Sequence, residues 1–199
     1  MTITNGYATL DEFKAYAMPD TGTDSADDAV IESIIEGASR QIDTFCGRFF
    51  YQSTTTKYYI SNDGEYLNTH DIYTATGLTI EVDLNADGIY ETTFTSNDYN
   101  LTPYSPEPFP YFGIEATFRN GISFSRSKKG NKITASFGWS AVPDDIRQAC
   151  LIASSIDYKR RFGDGAGSVA TVIGAGVVLS PSGLPVAATQ KLMPYRKIF

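Results

Sequence analysis

A long stretch without helical periodicity separates the two strongest helix patterns of this sequence, and this arrangement constrains the fold most. The first pattern runs over Val30–Cys46, where apolar residues recur at helical spacing, and Gly47 ends it. The second opens at Pro143 and carries apolar residues over Ile146–Ile156. Because an apolar helix face must be covered by another apolar surface, we expect the two helices to pack together. The stretch between them is then an insertion into a helical core.

The inserted stretch has the composition of strands and turns. Thr54–Ile60 is rich in β-branched and aromatic residues, and Leu78–Val82 alternates apolar and polar positions. Asn85–Gly88 is a turn signal, so Ile89–Phe94 is expected to return as a hairpin partner. Further strands are expected at Tyr99–Leu101, Ile114–Phe118 and Lys132–Trp139. His70 is expected in a loop or turn, and Trp139 is expected to be partly buried.

These patterns predict an α+β fold. It has a small helical core of three or more helices, a β-strand-rich insertion between the second and third main helices, and an extended C-terminal arm. Thr9 and Glu12 fit a capping box at the start of a short first helix. The expected regions are an N-terminal helical core (1–52), the β-rich insertion (53–140), a C-terminal core helix (141–162), and a glycine-rich joint with a docking arm (163–199). Glycine-rich joints favour a mobile loop, or an arm that orders on a partner.

Composition excludes several classes of protein. The chain has 199 residues, of which 42% are hydrophobic and 20% charged, so it can bury a core and is not of disordered type. No run of eighteen apolar residues occurs, and the first residues lack the pattern of a secretory signal. Cys46 and Cys150 lie on apolar helix stripes, which favours buried thiols in a reducing compartment.

No set of residues predicts catalysis. The single histidine, His70, argues against a histidine-based triad or zinc site, and no GxSxG elbow occurs. Acidic pairs such as Asp144 and Asp145 open helices, where capping explains them. We therefore expect a protein that is not an enzyme and needs no cofactor.

One segment has a weak likeness to a calcium-binding loop. Asp83, Asn85, Asp87 and Glu91 stand at ligand positions of such a loop, but Phe94 occupies the position that requires a bidentate glutamate. The favoured interpretation is a β-turn, with calcium as the alternative.

Charge is distributed unevenly along the sequence. Residues 1–119 contain 5 basic and 19 acidic side chains, a net charge of −14, whereas residues 120–199 contain 11 basic and 4 acidic ones, a net charge of +7. Such opposite charges suit electrostatic docking between copies or onto a second protein, and the alternative is that both parts are simply solvated. The total of −7 disfavours general binding of double-stranded DNA.

Aromatic residues are frequent in the insertion. They form either a binding surface for sugar or protein or, in the plainer interpretation, the core and edges of a sheet. The set is Tyr58, Tyr59, Tyr66, Tyr73, Tyr90, Tyr99, Tyr104, Phe109, Tyr111 and Phe112.

The order of several segments resembles a known family. A short helix beginning YATLDEF is followed by IIEGASRQIDTFCGRFFY, then by IEVDLNADGIYETTF and NDYNLTPY. After these come ITASFGWSAVPDDIRQACLIASSIDYKRR and a C-terminal PYRKIF. This order is similar to that of the head–tail connector proteins of tailed bacteriophages, also called adaptor or head completion proteins.

The resemblance implies a structural virion protein made in the host bacterial cytoplasm. Copies would form a ring of about a dozen subunits under the portal, by analogy with the family. The ring would extend the DNA channel, which DNA crosses without sequence-specific binding, and would link the capsid to the tail without contacting a membrane. Its partners would be the portal protein and the next connector, stopper or tail protein. The alternative is another phage tail or receptor-binding component that uses the aromatic β region.

The resemblance also implies docking residues. The portal-docking arm would comprise Lys191, Leu192, Met193, Pro194, Tyr195, Arg196, Lys197, Ile198 and Phe199. Candidate inter-subunit contacts are the basic residues Arg126, Lys128, Lys129, Lys159, Arg160 and Arg161.

Overall fold

The chain forms two compact units, residues 1–50 with 142–199 and residues 51–141. The computed structural model describes residues 3–18, 25–106, 109–162, 171–173, 177–179 and 183–197. The predicted α+β fold is confirmed, since a strand-rich unit is inserted between the second and third helices. None of the helices in the described ranges is both long and apolar enough to cross a membrane.

The first unit, called here the helical unit, is built mainly from four helices. They are α1 (Leu10–Ala17), α2 (Asp28–Cys46), α3 (Asp144–Phe162) and α4 (Val186–Leu192), and a single 3-10 turn (Met193–Tyr195) follows α4. Helix α3 packs against α1, α2 and α4, so it is the central helix of the unit. Two short antiparallel strands, β8 (Thr171–Ile173) and β9 (Val177–Leu179), lie in the chain between α3 and α4.

Local sequence signals account for α1 and α2. The capping box is present, because Thr9 Oγ1 accepts the Glu12 N–H and Glu12 Oε2 accepts the Thr9 N–H. Helix α2 ends at Gly47, whose φ of 66° is a left-handed conformation that glycine adopts without strain. Its buried face consists of Ile31, Ile35, Ala38, Ser39, Ile42 and Cys46.

The inserted unit is an antiparallel sheet of seven strands. They are β1 (Ser53–Tyr59), β2 (Tyr66–Ile72), β3 (Thr79–Val82), β4 (Thr92–Thr93), β5 (Tyr99–Thr102), β6 (Tyr111–Ala116) and β7 (Asn131–Phe137). Strand β7 pairs with β1 along its whole length. It also pairs with β3 over residues 131–134 and with β2 at Phe137. Every second residue of β7 is fully buried, from Asn131 to Phe137, so this strand is at the centre of the unit's core.

Strand β2 was not expected, and the prediction that His70 lies in a loop or turn was wrong. Leu67, Thr69 and Asp71 are buried while Asn68 and His70 are exposed, so the segment does have the two-residue period of a strand. Two polar residues on the buried face hide that period in the sequence.

The buried Asp71 has its partner in Trp139. The Trp139 Nε1–H donates to Asp71 Oδ2 at 3.1 Å, and the indole is only 6% exposed, deeper than the partial burial expected. The buried indole N–H therefore has a charged acceptor that is distant in the sequence.

The C-terminal segment also differs from expectation, because residues 186–195 are helical rather than extended. Ala188 and Leu192 are fully buried in the helical unit, and this burial favours the helix over an arm without order of its own. Residues 198 and 199, and most of 163–182, lie outside the described residues.

Candidate functional site

The predicted docking arm is anchored on its own helical unit. Leu192 is fully buried, and the main-chain N–H of Lys197 donates to the carbonyl oxygen of Cys46 at 2.8 Å. The Tyr195 ring packs edge-on against Phe50, with 5.8 Å between centroids. The segment therefore closes over the C-terminal end of α2.

A carboxylate at the start of α3 holds the other side of this segment. Asp145 Oδ1 lies 3.6 Å from the Lys191 ammonium, and the charge of its carboxylate acts on the Tyr195 hydroxyl. Partial burial, and then the negative charge of Asp145, raises the pKa of Tyr195 above its ordinary value. Asp145 thus anchors the C-terminal segment, a role that its position in a helix cap did not reveal.

The outer side of the segment offers a small mixed surface. Met193, Pro194 and Arg196 are exposed, and the Arg196 guanidinium lies 5.7 Å from the centroid of the Phe45 ring. An exposed thioether beside a cation suits a protein partner better than a small-molecule substrate. Ile198 and Phe199, the last predicted docking residues, lie outside the described residues.

The six predicted inter-subunit cations fall into two groups, one in each unit. Arg126, Lys128 and Lys129 lie in the loop before β7, and Arg126 donates to the carbonyl oxygen of Asp63. Lys159, Arg160 and Arg161 lie in the last turn of α3, where cations complement the helix dipole. Of these, Arg160 pairs with Asp157 at 3.3 Å.

The acidic and basic parts of the sequence do not coincide with the two units. The helical unit contains 10 basic and 13 acidic residues, a net charge of −3, and the inserted unit contains 6 and 10, a net charge of −4. Docking by charge must therefore depend on local groups such as the two basic clusters.

The calcium-like segment is organised as a turn by its own carboxylate. Asp83 is buried, its Oδ1 accepts the N–H of Ala86 at 2.7 Å, and its Oδ2 accepts the N–H of Gly88 at 2.8 Å. The Asn85 amide donates to both Asp87 and Glu91. Both oxygens of the first ligand position are thus used by backbone donors, as in a side-chain-stabilised turn.

Removal of calcium is expected to leave the stability of this protein unchanged. A ligand that binds only the folded state raises its stability, so Tm should be equal in calcium and in excess chelator. Asp83→Ala should lower the free energy of unfolding by about 1–3 kcal/mol, because two backbone donors lose their acceptor. Differential scanning calorimetry measures both, and a Tm that rises with calcium would restore the metal interpretation.

The two thiols are buried, as predicted from their apolar stripes. Cys46 and Cys150 are both free and inaccessible to solvent. Burial raises the pKa of Cys46 to about 12 and raises that of Cys150 as well. Neither sulfur therefore forms the thiolate that a nucleophile requires at neutral pH.

Thiol reactivity should report this burial directly. At pH 8 the native protein is expected to react with a chromogenic disulfide reagent at less than a hundredth of the rate seen in denaturant, where both thiols react. Rapid reaction of one thiol in the native protein would show that its site is open.

An aromatic depression lies at one end of the inserted sheet. Its volume is about 450 Å³, and Phe109 packs edge-on against Trp139 beside it, with 5.6 Å between centroids. Tyr73 and Tyr111 also line it, whereas Tyr104, which is 71% exposed, does not. Three of the ten predicted aromatic residues line this depression, and the other seven are exposed or half-buried elsewhere on the unit, so none of the ten belongs to its buried core.

A buried tyrosine cluster in the helical unit was not found from the sequence. The Tyr7 hydroxyl donates to Asp43 Oδ1 and accepts the N–H of Phe50 at 2.8 Å. Burial is the main cause that raises the pKa of both Tyr7 and Asp43. The cluster holds the N-terminal segment on α2, and no local motif marks it.

The fold is shared with solved structures of gene transfer agent (GTA) particles. No protein-family model and no curated protein matches this chain. A chain from the neck of an empty GTA particle, computed with C6 symmetry, matches with a TM-score of 0.60 and 19% identity over 100% of this chain and 94% of that chain. A chain from the virion of a native GTA particle matches with a TM-score of 0.62, 18% identity and coverages of 100% and 94%.

A third match agrees with these two. It is a chain from the neck of a native GTA particle computed with C12 symmetry, with a TM-score of 0.58, 17% identity and coverages of 100% and 93%. The resemblance to head–tail connectors is thereby confirmed at the level of the fold. The chain has, over its whole length, the fold of chains found in the neck of phage-like particles.

Proposed function

We propose that this protein is a structural virion protein, a head–tail connector that forms a ring under the portal. The ring extends the DNA channel and links the capsid to the tail, and DNA passes through it without sequence-specific binding. The observation that carries the proposal is the match to GTA neck chains over the entire chain. Those neck structures have C6 and C12 symmetry, which supports a ring of this chain.

The exposed side of the C-terminal segment is the proposed contact with the portal protein. Met193, Pro194 and Arg196 face solvent there, while Leu192 and Asp145 fix the segment from below. A surface held in place before binding loses little conformational entropy on docking. The segment is thus a preformed helical surface, whereas the sequence predicted an extended arm.

The ring itself is the first property to test. Native mass spectrometry over a range of concentrations is expected to give one closed assembly of about a dozen subunits, alone or after addition of a portal ring as template. A chain that stays monomeric with the portal ring present, and does not bind it, would contradict the proposal.

A second candidate function uses the aromatic depression of the inserted unit. Tyr73, Phe109, Tyr111 and Trp139 line it, and aromatic rings with a few polar groups suit a sugar ring or an apolar side chain. The protein would then be a tail or receptor-binding component. A glycan-array signal that Tyr111→Ala abolishes would favour this function, and an array without signal would remove it.

A further inference from the structure

Two asparagines of this sequence, Asn5 and Asn120, are each followed directly by glycine. An asparagine in this position is chemically labile, because a glycine has no side chain to keep its nitrogen away from the asparagine amide carbon. The two Asn–Gly pairs share the same local chemistry, so a difference between them must come from the surrounding structure.

The fold occupies both reacting groups of the Asn120 pair. The Asn120 side-chain amide donates to Asp98 Oδ1 at 2.5 Å, and the N–H of Gly121 donates to the carbonyl oxygen of Phe118 at 3.0 Å. Asp98 is itself buried, and its other carboxylate oxygen accepts the N–H and the hydroxyl of Thr95. Attack on the Asn120 amide would break these bonds, so the folded state protects it.

The reacting groups of the Asn5 pair are not occupied in this way. Asn5 lies outside helix and strand, and within the described residues no hydrogen bond involves its side-chain amide or the N–H of Gly6. Packing favours the glycine, because a Cβ at Gly6 would lie 2.4 Å from Ile3 Cγ2 and 3.3 Å from Cγ2 of the buried Ile35. The fold therefore retains a labile pair at this position.

Arg40 provides an electrostatic cause for reaction at Asn5. Its Nη2 donates to the carbonyl oxygen of Asn5 at 2.8 Å. This oxygen belongs to the same peptide group as the Gly6 nitrogen, so it takes up negative charge when that nitrogen loses its proton. A guanidinium placed where negative charge develops stabilises the charged form. Arg40 therefore favours the deprotonated nitrogen, which is the form that attacks the asparagine amide.

We propose that Asn5 deamidates spontaneously in the folded protein, whereas Asn120 is protected, and that this modification loosens residues 3–9 from α2. The Gly6 nitrogen gives its proton to water and bonds to Cγ of Asn5, and the side-chain amide nitrogen takes up a proton and leaves as ammonia. Water then opens the resulting cyclic imide at either carbonyl, which gives aspartate or isoaspartate. The reaction needs no oxidant, reductant or enzyme.

The N-terminal segment (residues 3–9) is fastened along one face of α2, and isoaspartate would disturb this attachment. The Asn5 N–H donates to Glu36 Oε1 at 3.2 Å, while Arg40, one helical turn further along α2, holds the Asn5 carbonyl. The next attachment is the Tyr7 N–H, which donates to Ser39 Oγ at 3.0 Å. Isoaspartate inserts one more backbone carbon between the N–H and the carbonyl of residue 5, so the two anchors cannot both keep their present geometry.

The negative charge that deamidation adds falls beside other carboxylates. Glu36 Oε2 is buried and has no hydrogen-bond donor among the described residues. Burial raises the pKa of Asp43, and the negative charge of Glu36 raises it further, so these two carboxylates already repel each other. Arg40 is already paired with Asp43 at 3.1 Å. A carboxylate at residue 5 adds to this repulsion, so both products of deamidation weaken the attachment.

Peptide mapping by mass spectrometry measures both asparagines in one sample. The purified full-length protein is aged at mildly alkaline pH, natively and in denaturant, and samples are digested in acid so that digestion adds no deamidation. The variant Asn5→Ser is aged beside the wild type as the matched control, because it removes the reacting amide and keeps the main-chain anchors.

We expect native Asn5 to convert to a mixture of aspartate and isoaspartate at least about tenfold faster than native Asn120, and the two to convert at similar rates in denaturant. Equal native rates, or slower conversion of Asn5 than of Asn120, would overturn the assignment of Asn5 as the modification site.

Hydrogen exchange and thermal unfolding test the loosening of the N-terminal segment. In the deamidated fraction, separated by ion exchange, the Tyr7 N–H is expected to exchange faster and Tm to be lower than in fresh protein. Aged Asn5→Ser should retain the Tm and exchange rates of fresh Asn5→Ser. A deamidated fraction with unchanged Tm and unchanged exchange at Tyr7 would overturn the proposed loosening, and an equal loss of Tm in aged Asn5→Ser would assign the loss to another site.

Discussion

Replacing Leu192 by alanine is expected to lower the free energy of unfolding of the helical unit by about 2–5 kcal/mol. Leu192 is fully buried, so its truncation leaves a cavity where α4 packs on the unit. Urea unfolding, followed by circular dichroism at the helical band, measures the change.

Met193 provides the matched control for this prediction. It is the next residue and is 59% exposed, so Met193→Ala should change the stability by less than about 0.5 kcal/mol. Equal stability of both variants and the wild type would mean that the C-terminal segment is not docked on the core. Because Leu192 belongs to the core, truncation at Lys191 would remove buried contacts and is a poor test of portal binding. The variant Arg196→Glu leaves these buried contacts in place and is the better test.

Replacing Ile35 by alanine is the second change with a large expected effect, again about 2–5 kcal/mol. Ile35 is fully buried at the centre of α2, and α2 packs against α3. Because protein cores are close-packed, the neighbours of Ile35 cannot fill the cavity without cost.

Ile34 is the control for this substitution. It precedes Ile35 on the same helix and is only half-buried, so Ile34→Ala removes the same atoms with a smaller loss of buried area. The unfolding midpoint in urea should fall clearly more for Ile35→Ala. A larger effect at Ile34 would mean that the core face of α2 is turned from the one described here.

The helices could be predicted because their signals are local. The capping box of Thr9 and Glu12, the apolar stripe of α2 and the left-handed Gly47 each depend on residues a few positions apart. These signals were sufficient to predict an inserted β-rich unit between two packing helices. Most of the strands carried enough β-branched and aromatic residues to be found as well.

The elements that were missed depend on contacts between distant residues. Strand β2 buries Asp71 because Trp139 supplies its hydrogen bond, and this partner is far away in the sequence. The C-terminal segment is helical because Leu192 finds a buried position near Cys46. Glycine content alone favoured an arm, and nothing within the segment indicates where it packs.

The candidate docking surfaces also divide into those with a local sequence signal and those that depend on contacts between distant residues. Each basic cluster could be found from the sequence, because its residues lie within four positions of one another. The meeting of loops 60–65, 83–91 and 117–130 at one end of the inserted sheet could not be found, because only the register of β1, β3 and β7 brings them together. The positive φ angles of Ala86 and Phe118 likewise have no sequence signature.

The central claim is that this protein joins head to tail as a ring, and imaging of the assembled complex tests it most directly. Purified protein is added to tail-less particles that contain the portal, and the portal vertex is reconstructed by cryo-electron microscopy. We expect a ring of about a dozen copies under the portal, with residues 191–197 of each copy at the portal surface and the channel open along the axis. A portal vertex without added density, or copies bound anywhere else on the particle, would contradict the claim.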